Sequence, residues 1–404
     1  MIKRWIESDL VSALHSRRGV HLTGARQSGK TTLASMLDLS RIKRRSLDDD
    51  SLAMMARTSP SDFVRRSAGE TLVIDEIQKV PELLNAIKIC VDEDNSRAQY
   101  LLTGSSNLRF TKTIKDSLAG RFATVRLRTL ALAELNGKRP SFLESAFKGE
   151  FSAEETDIGK ADILHHAFIG GYPEQLDLSP KERRRWYRGY LNDLLTKDIK
   201  DVTEIRKIDI LMDIAEWLLA RTAQFFTLDE LCTKMGISLP TAENYLNALR
   251  SLYVFDRIPA WSKSEYDRIG KKPKWIVSDT GLAANILRWD ESDFMLDPRS
   301  GKFIESWIYH EIACQAEASG DYEIKHYRDR HGREIDFLIE DEKGDLLGVE
   351  VKAGSAVGHG DFKHLKWFAA NLARKKFTGI VVYTGKYVMK LGDNMFAVPM
   401  GLLT

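Results

Sequence analysis

The stretch Gly24-Ala25-Arg26-Gln27-Ser28-Gly29-Lys30-Thr31-Thr32 narrows the choice of fold more than any other part of the chain. It fits Gly-x-x-x-x-Gly-Lys-Thr without departure, follows the short apolar run Val20, His21, Leu22, and opens a helical pattern. That context is what a P-loop requires. Consecutive backbone N–H groups and the positive end of the next helix must curl around a polyphosphate, and the two glycines let the backbone come that close. Residues Gly24 to Thr32 are therefore expected to hold ATP. Lys30 would reach the β- and γ-phosphates, and the Thr31 hydroxyl would complete the shell of a Mg²⁺ ion.

The run Thr71-Leu72-Val73-Ile74-Asp75-Glu76 reads as a buried strand ending in two carboxylates. Buried parallel strands look like continuous apolar runs, and an acid at the C-terminal end of one sits where open α/β sheets bind ligands. Asp75 is expected to hold the Mg²⁺ through water, with Glu76 polarising the attacking water as general base. A further run from Ile42 to Leu47, taken as apolar, leaves room for an extra strand between the two motifs. That is the order of the NTPase division that uses a glutamate beside the metal-holding aspartate. A third strand, Tyr100-Leu101-Leu102-Thr103, ends in Gly104-Ser105-Ser106-Asn107, which brings further polar groups, Ser105 among them, to the same edge to sense the γ-phosphate.

These pieces resemble the AAA+ ATPases, together with Ser117-Leu118-Ala119-Gly120-Arg121, Gly170-Gly171-Tyr172-Pro173-Glu174 and Ser278-Asp279-Thr280-Gly281-Leu282. Within that class the resemblance is to bacterial and archaeal proteins that join an AAA domain to a C-terminal DUF4143-type region. It implies an α/β chain: an AAA+ P-loop core with a helical lid, then a winged helix-turn-helix and a restriction-endonuclease-like domain. It also implies that Arg121 is an arginine finger, offered to the γ-phosphate of a neighbouring subunit in a ring, most simply a hexamer. The residues alone allow Arg121 to cap its own helix or pair with Asp116 instead. Gly171-Tyr172-Pro173 resembles the Gly-x-Pro piece that touches nucleotide in related lids, which adds Pro173 to the site; a plain turn accounts for the same residues. Arg183, Arg184 and Arg185 are equal candidates for a lid arginine, and nothing in the spacing selects one.

At 404 residues the chain has room for about two to four domains. The expected divisions are the core at 1–130, the lid at 131–206, the winged helix at 207–280 and the endonuclease-like domain at 281–404. Cys90, Cys232 and Cys314 have no CxxC spacing, which leaves neither a zinc site nor a disulfide framework. The first residues are charged where a signal peptide needs an apolar core, and no apolar run approaches the roughly 18 residues of a membrane span. A cytoplasmic protein with no membrane partner is expected. A net charge of +2 hides basic clusters such as Lys43-Arg44-Arg45 and Lys271-Lys272-Pro273-Lys274, and charge runs of this kind are usually solvated faces.

Residues 1 to 18 read as an amphipathic helix with Trp5, Ile6, Leu10 and Leu14 on one face, packing beside the P-loop sheet. Phe226 to Ser238 gives a helix closed by Gly236, and Ser238 opens a second helix whose apolar face is Tyr245, Leu246, Leu249 and Leu252. Thr241, Glu243, Asn244 and Asn247 are left for solvent or a DNA groove, with Lys263, Arg268, Lys271, Lys272 and Lys274 as a wing on the phosphates. Glu243 is a poor neighbour for DNA, and winged helices also serve as protein contacts.

In the last quarter Glu334-Ile335-Asp336-Phe337 and Val349-Glu350-Val351-Lys352 read as paired strands. Asp336, Glu350 and Lys352 form the Asp, Glu-x-Lys set of restriction-endonuclease-like folds, in which two carboxylates hold a Mg²⁺ that activates water and the lysine orients it. Glu305 sits where Holliday-junction-resolvase relatives keep an additional acid. Three functions follow: an ATP-driven machine on duplex or branched DNA, an ATP-gated Mg²⁺-dependent nuclease, and a nucleotide-dependent switch whose C-terminal half binds protein.

Overall fold

Five parallel strands build the first sheet: β1 (Gly19–Thr23), β2 (Ile42–Ser46), β3 (Thr71–Asp75), β4 (Tyr100–Gly104) and β5 (Phe122–Arg126). Their order is β2-β3-β4-β1-β5. The computed structural model describes residues 2–39, 41–105, 118, 120–151, 155–201, 203, 205, 207–264, 271–295 and 297–404. Ser106, Asn107, Asp116, Ser117, Ala119 and Arg268, all named above, lie outside the described residues.

Strands β1 and β4 are buried along their whole length and β3 along all but its last residue, which is why they read as unbroken apolar runs. Because β4 lies between β1 and β3, the C-terminal ends of those two strands flank a crevice where a ligand can sit. β2 does fall between the two motifs in sequence. It is a polar edge strand, however, with Lys43 and Arg44 exposed, and not the apolar run expected. The helix Ile6–Ser16 buries Ile6, Leu10 and Leu14 in one cluster with Val20, Leu22, Val125 and Leu127, as its periodicity predicts.

Beyond β5 the chain is helical through Pro180–Thr196 and then forms the helices Ile208–Ala220, Leu228–Met235 and Leu239–Ser251. The Thr227 hydroxyl caps the second of these by accepting from the Glu230 amide at 3.0 Å, and Gly236 ends it at φ 62°. The antiparallel pair β6 (Phe255–Ile258) and β7 (Lys274–Val277) follows as a wing. Tyr245, Leu246 and Leu249 face inward while Glu243, Asn244 and Asn247 stay exposed.

The last sheet contains β8 (Tyr322–Arg328), β9 (Glu334–Asp341), β10 (Leu346–Lys352), β11 (Phe377–Tyr383), β12 (Met389–Gly392) and β13 (Met395–Pro399), in the order β12-β13-β11-β10-β9-β8. Alternation along β11 sends Ile380 and Val382 to the face covered by the helix Ser300–Ser319, and Val381 and Tyr383 to the face covered by Lys363–Asn371. One hydrophobic cluster runs from Tyr172 and Tyr190 through Leu218 and Tyr245 to Phe303, Phe337 and Val398, so the lid, the winged helix and this sheet share a core. Among the described residues no helix is long and apolar enough to cross a membrane.

Polar contacts join this body to the first sheet. Asp256 on β6 accepts from Arg126 at 2.8 Å and from Arg128 at 2.7 Å. Burial would push the Asp256 carboxyl up, but the two guanidinium groups hold it well below the usual carboxylate range. Asp256→Ala would leave both buried cations short of a counter-ion, although Glu317 stays 2.8 Å from Arg128. The expected loss is about 3 kcal/mol, the low end for breaking a buried pair, measured by denaturant unfolding.

Candidate active site

The P-loop turn between β1 and the helix Lys30–Met36 depends on glycine at two positions. Gly24 has φ 149° and a Cβ there would lie 2.1 Å from the Leu127 carbonyl oxygen, while Gly29 caps the helix at φ 98°. The Lys30 ammonium is tucked beneath the loop and donates to the Gly24 and Ala25 carbonyls at 3.0 and 2.8 Å. Burial pushes Lys30 down to about 8, partly opposed by Glu76 and Asp75. Arg4 braces the loop from outside, donating to the Ser28 carbonyl at 3.0 Å and pairing with Glu134 at 3.1 Å.

At the end of β3 the Thr31 hydroxyl donates to Asp75 Oδ2 at 3.0 Å, and the Thr103 hydroxyl of β4 donates to Asp75 Oδ1. Glu76 adopts the left-handed region at φ 56°, a conformation that costs a β-carbon-bearing residue roughly 1–3 kcal/mol and clusters at functional sites. Its carboxylate accepts from the Gln78 amide, which also donates to the Ser105 hydroxyl at 3.1 Å. Burial pushes the Glu76 carboxyl up, against the hydrogen bond from Gln78 and the charge of Lys30.

A cavity of about 720 Å³ opens over these groups. It is lined by Arg26, Gln27, Gly29, Lys30, Thr31, Thr32, Glu76, Ser105 and Pro173, all anticipated from sequence. Gly24, Ala25 and Ser28 lie beneath it as the body of the loop, and Asp75 stands behind Thr31. Asp48, Gln78, Lys79, Glu174 and Asp198 also line the cavity, and no local sequence pattern marks them as site residues. Asp198 accepts from Arg26 at 2.6 Å, and Tyr190 of the lid donates to the Arg26 carbonyl at 3.1 Å. None of Arg183, Arg184 and Arg185 lines the cavity, and Arg183 instead donates to the Leu178 carbonyl at 2.9 Å. The charged groups that the lid presents here are acidic.

Arg121 stands apart. Phe122 pairs with Gly19 and Arg126 with Thr23, so Arg121 lies at the N-terminal edge of the sheet while the P-loop occupies the opposite edge. Its guanidinium pairs with Asp92 of the same chain, with Nη2 to Oδ2 at 2.9 Å.

Two further motifs meet each other. The Gly171 amide donates to Asp279 Oδ2 at 2.8 Å, while Tyr187 and the Gly281 amide donate to Oδ1 at 3.1 and 3.0 Å. Asp279 thus fixes the turn that presents Pro173 to the cavity. Tyr253, at the end of the helix-turn-helix, shares a 2.5 Å hydrogen bond with Thr23, the residue before Gly24.

In the last sheet Asp336 of β9, Glu305 of the helix Ser300–Ser319 and Glu334 converge on the ammonium of Lys274, at 3.2, 2.7 and 3.3 Å. Lys274 was expected on an exposed wing against phosphates. It is wholly buried, because alternation along β7 turns it toward β9. The Asp336 carboxyl is pushed up by burial but held down at about 2 by Lys274, Lys302 and the Val351 amide. Burial and the Asp336 charge push Glu350 up. Lys352 turns away to Asp361 at 3.5 Å.

Residues 16–136 match the AAA domain family, 160–293 a domain of unknown function (DUF8612) and 300–403 a domain of unknown function (DUF4143). Uncharacterised proteins of Mycobacterium tuberculosis and Mycobacterium bovis are each 25% identical over 390 residues, 96% of this chain and 81% of theirs. Among solved structures, a Walker-type ATPase of Pyrococcus abyssi is 15% identical, with 72% of this chain and 96% of that one covered at a TM-score of 0.45. A RuvB of Thermotoga maritima is 20% identical, with the same 72% and 96% covered at a TM-score of 0.29. With its P-loop and the Glu76 carboxylate set around one cavity, this chain joins an AAA-type ATPase domain to a C-terminal DUF4143 domain.

Proposed function

We propose that the protein is an ATP-hydrolysing AAA machine that works on DNA as a ring, probing duplex or branched DNA with its winged helix. The observation that carries this is the convergence of Lys30, Thr31, Glu76, Ser105 and the lid residue Pro173 on one cavity. In this reading Lys30 would leave the Gly24 and Ala25 carbonyls for the polyphosphate, and Thr31 and Asp75 would hold Mg²⁺. The pair fits that ion, since the hydroxyl and the carboxylate already touch. Mg²⁺ would neutralise charge on the β- and γ-phosphates. Glu76 takes the proton of the attacking water, with Gln78 fixing its carboxylate and linking it to Ser105. The divisions at 130, 206 and 280 belong to this proposal, as do the contacts Asp279–Gly171 and Tyr253–Thr23 as routes by which the nucleotide moves the C-terminal half.

Lys30 supplies a pH test. A lysine pushed down to about 8 is half deprotonated there in the free protein, and a bound polyphosphate raises it again. ATP binding near pH 8 should therefore take up a fraction of a proton, and affinity should fall as pH rises beyond that. Calorimetry in buffers of different ionisation heat reads the uptake; a buffer-independent heat at pH 8 argues against the assignment of Lys30.

For DNA, the support is that Asn244 and Asn247 of the second helix and Lys271 and Lys272 of the wing are all exposed. Charge reversal at Lys271 and Lys272 should weaken binding about equally across sequences. Each lost phosphate contact should also reduce the slope of log affinity on log salt by roughly 0.9. An unchanged slope removes the wing from the interface. The second reading is a switch that binds protein, favoured by the docking of the wing on β8: the His326 amide donates to the Pro259 carbonyl at 3.0 Å and the Trp261 amide to the His326 carbonyl at 2.7 Å.

A further inference from the structure

We propose that the acid cluster of the C-terminal sheet is closed to divalent metal, because Lys274 is its built-in counter-ion, and that this sheet anchors the winged helix instead of cutting DNA. An endonuclease-like site needs carboxylate oxygens free to bind a cation at roughly 2.0–2.6 Å, with room for the water it activates. Here three of the four oxygens of Asp336 and Glu305 face an ammonium, and the fourth accepts from a backbone amide. Asp336 gives Oδ1 to Lys274 and Oδ2 to the Val351 amide at 3.0 Å. Glu305 gives Oε1 to Lys274 and Oε2 to Lys302 at 2.6 Å.

The three N–H donors of the ammonium go to Glu305 Oε1, Asp336 Oδ1 and the Asp336 carbonyl, and Glu334 Oε1 lies 3.3 Å away as a third negative charge. Phe225 and Phe337 close over it, with Nζ 5.4 and 5.6 Å from the ring centres. A divalent ion entering this cluster would meet a fixed positive charge a few ångströms away. Lys352, the residue that would orient the water, points to Asp361.

The source of Lys274 adds the second half of the inference. It lies on β7, where it pairs with Ile258 of β6, so the ammonium pins the wing to the endonuclease-like sheet. This conclusion does not rest on the ATPase reading.

The test uses the full chain, free of nucleotide, in a Thr31→Ala background that removes the expected P-loop ligand. Mn²⁺ is titrated by electron paramagnetic resonance, and nicking of supercoiled plasmid and of a four-way junction is followed with Mg²⁺ or Mn²⁺. The expected result is no saturable Mn²⁺ site at millimolar metal and no nicking. Lys274→Ala exposes the carboxylates to one another, so its Tm should fall and then rise with each tenfold increase in Mn²⁺ while that of the parent stays flat. A saturable Mn²⁺ site or nicking in the parent that disappears in Asp336→Asn would overturn the proposal. That comparison stands even where Lys274→Ala fails to fold. A folded Lys274→Ala whose Tm ignores Mn²⁺ would also overturn it, since the lysine would then not be what excludes metal.

Discussion

Glu76→Gln should bind ATP as tightly as the parent and lose turnover by about 10²–10⁴-fold, the usual contribution of a positioned general base. The amide keeps the shape of the side chain and its place beside Gln78, but it cannot take a proton. The backbone at φ 56° holds either residue in the same strained turn, so the substitution isolates the chemistry of one group. Lys30→Ala is the contrasting variant: it removes the buried cation that the polyphosphate displaces, and tight binding should go with it. A Glu76→Gln protein that hydrolyses ATP at the parent rate would show that another group is the base.

Arg121→Ala should lower the rate by on the order of 10³-fold or more, provided the guanidinium serves the nucleotide of a neighbour. Its position at the far edge of the sheet keeps it from its own P-loop, which leaves a head-to-tail contact as its route to a γ-phosphate. It rests on Asp92 at the surface, a pair that solvent screens and that a neighbouring phosphate can replace. Mixing Arg121→Ala subunits, whose P-loops are intact, with Lys30→Ala subunits, whose fingers are intact, creates boundaries with one good pocket and one good finger. Activity above that of either variant alone supports a finger acting across subunits. No recovery in rings shown to be mixed makes the Arg121–Asp92 pair a surface contact and nothing more.

What could be read in advance follows from how far apart the interacting residues lie. The P-loop, the strand ending in Asp75 and Glu76, and the helix-turn-helix are contiguous, and their spacing is dictated by backbone geometry, so they were legible. Arg4 under Ser28, Asp198 against Arg26 and Asp279 holding Gly171 join residues far apart in the chain, and no local pattern marks them. The segment around β2 carries Lys43, Arg44 and Arg45, whose charge fits an edge strand and not a buried one. Lys274 is hidden in the sequence for the opposite reason. It sits in a basic cluster that looks solvated, and only the pairing of β6 with β7 shows that its side chain turns inward while Lys271 and Lys272 stay exposed.

The steady-state ATPase rate of the parent and of Lys30→Ala, each alone and with single-stranded, duplex and four-way-junction DNA, bears most directly on the whole reading. Mg²⁺-dependent hydrolysis should be present in the parent, absent in Lys30→Ala, and accelerated by at least one of the DNAs. Hydrolysis that survives Lys30→Ala would mean that this pocket is not the source of the activity, and a parental rate that none of the DNAs changes would remove DNA as the partner.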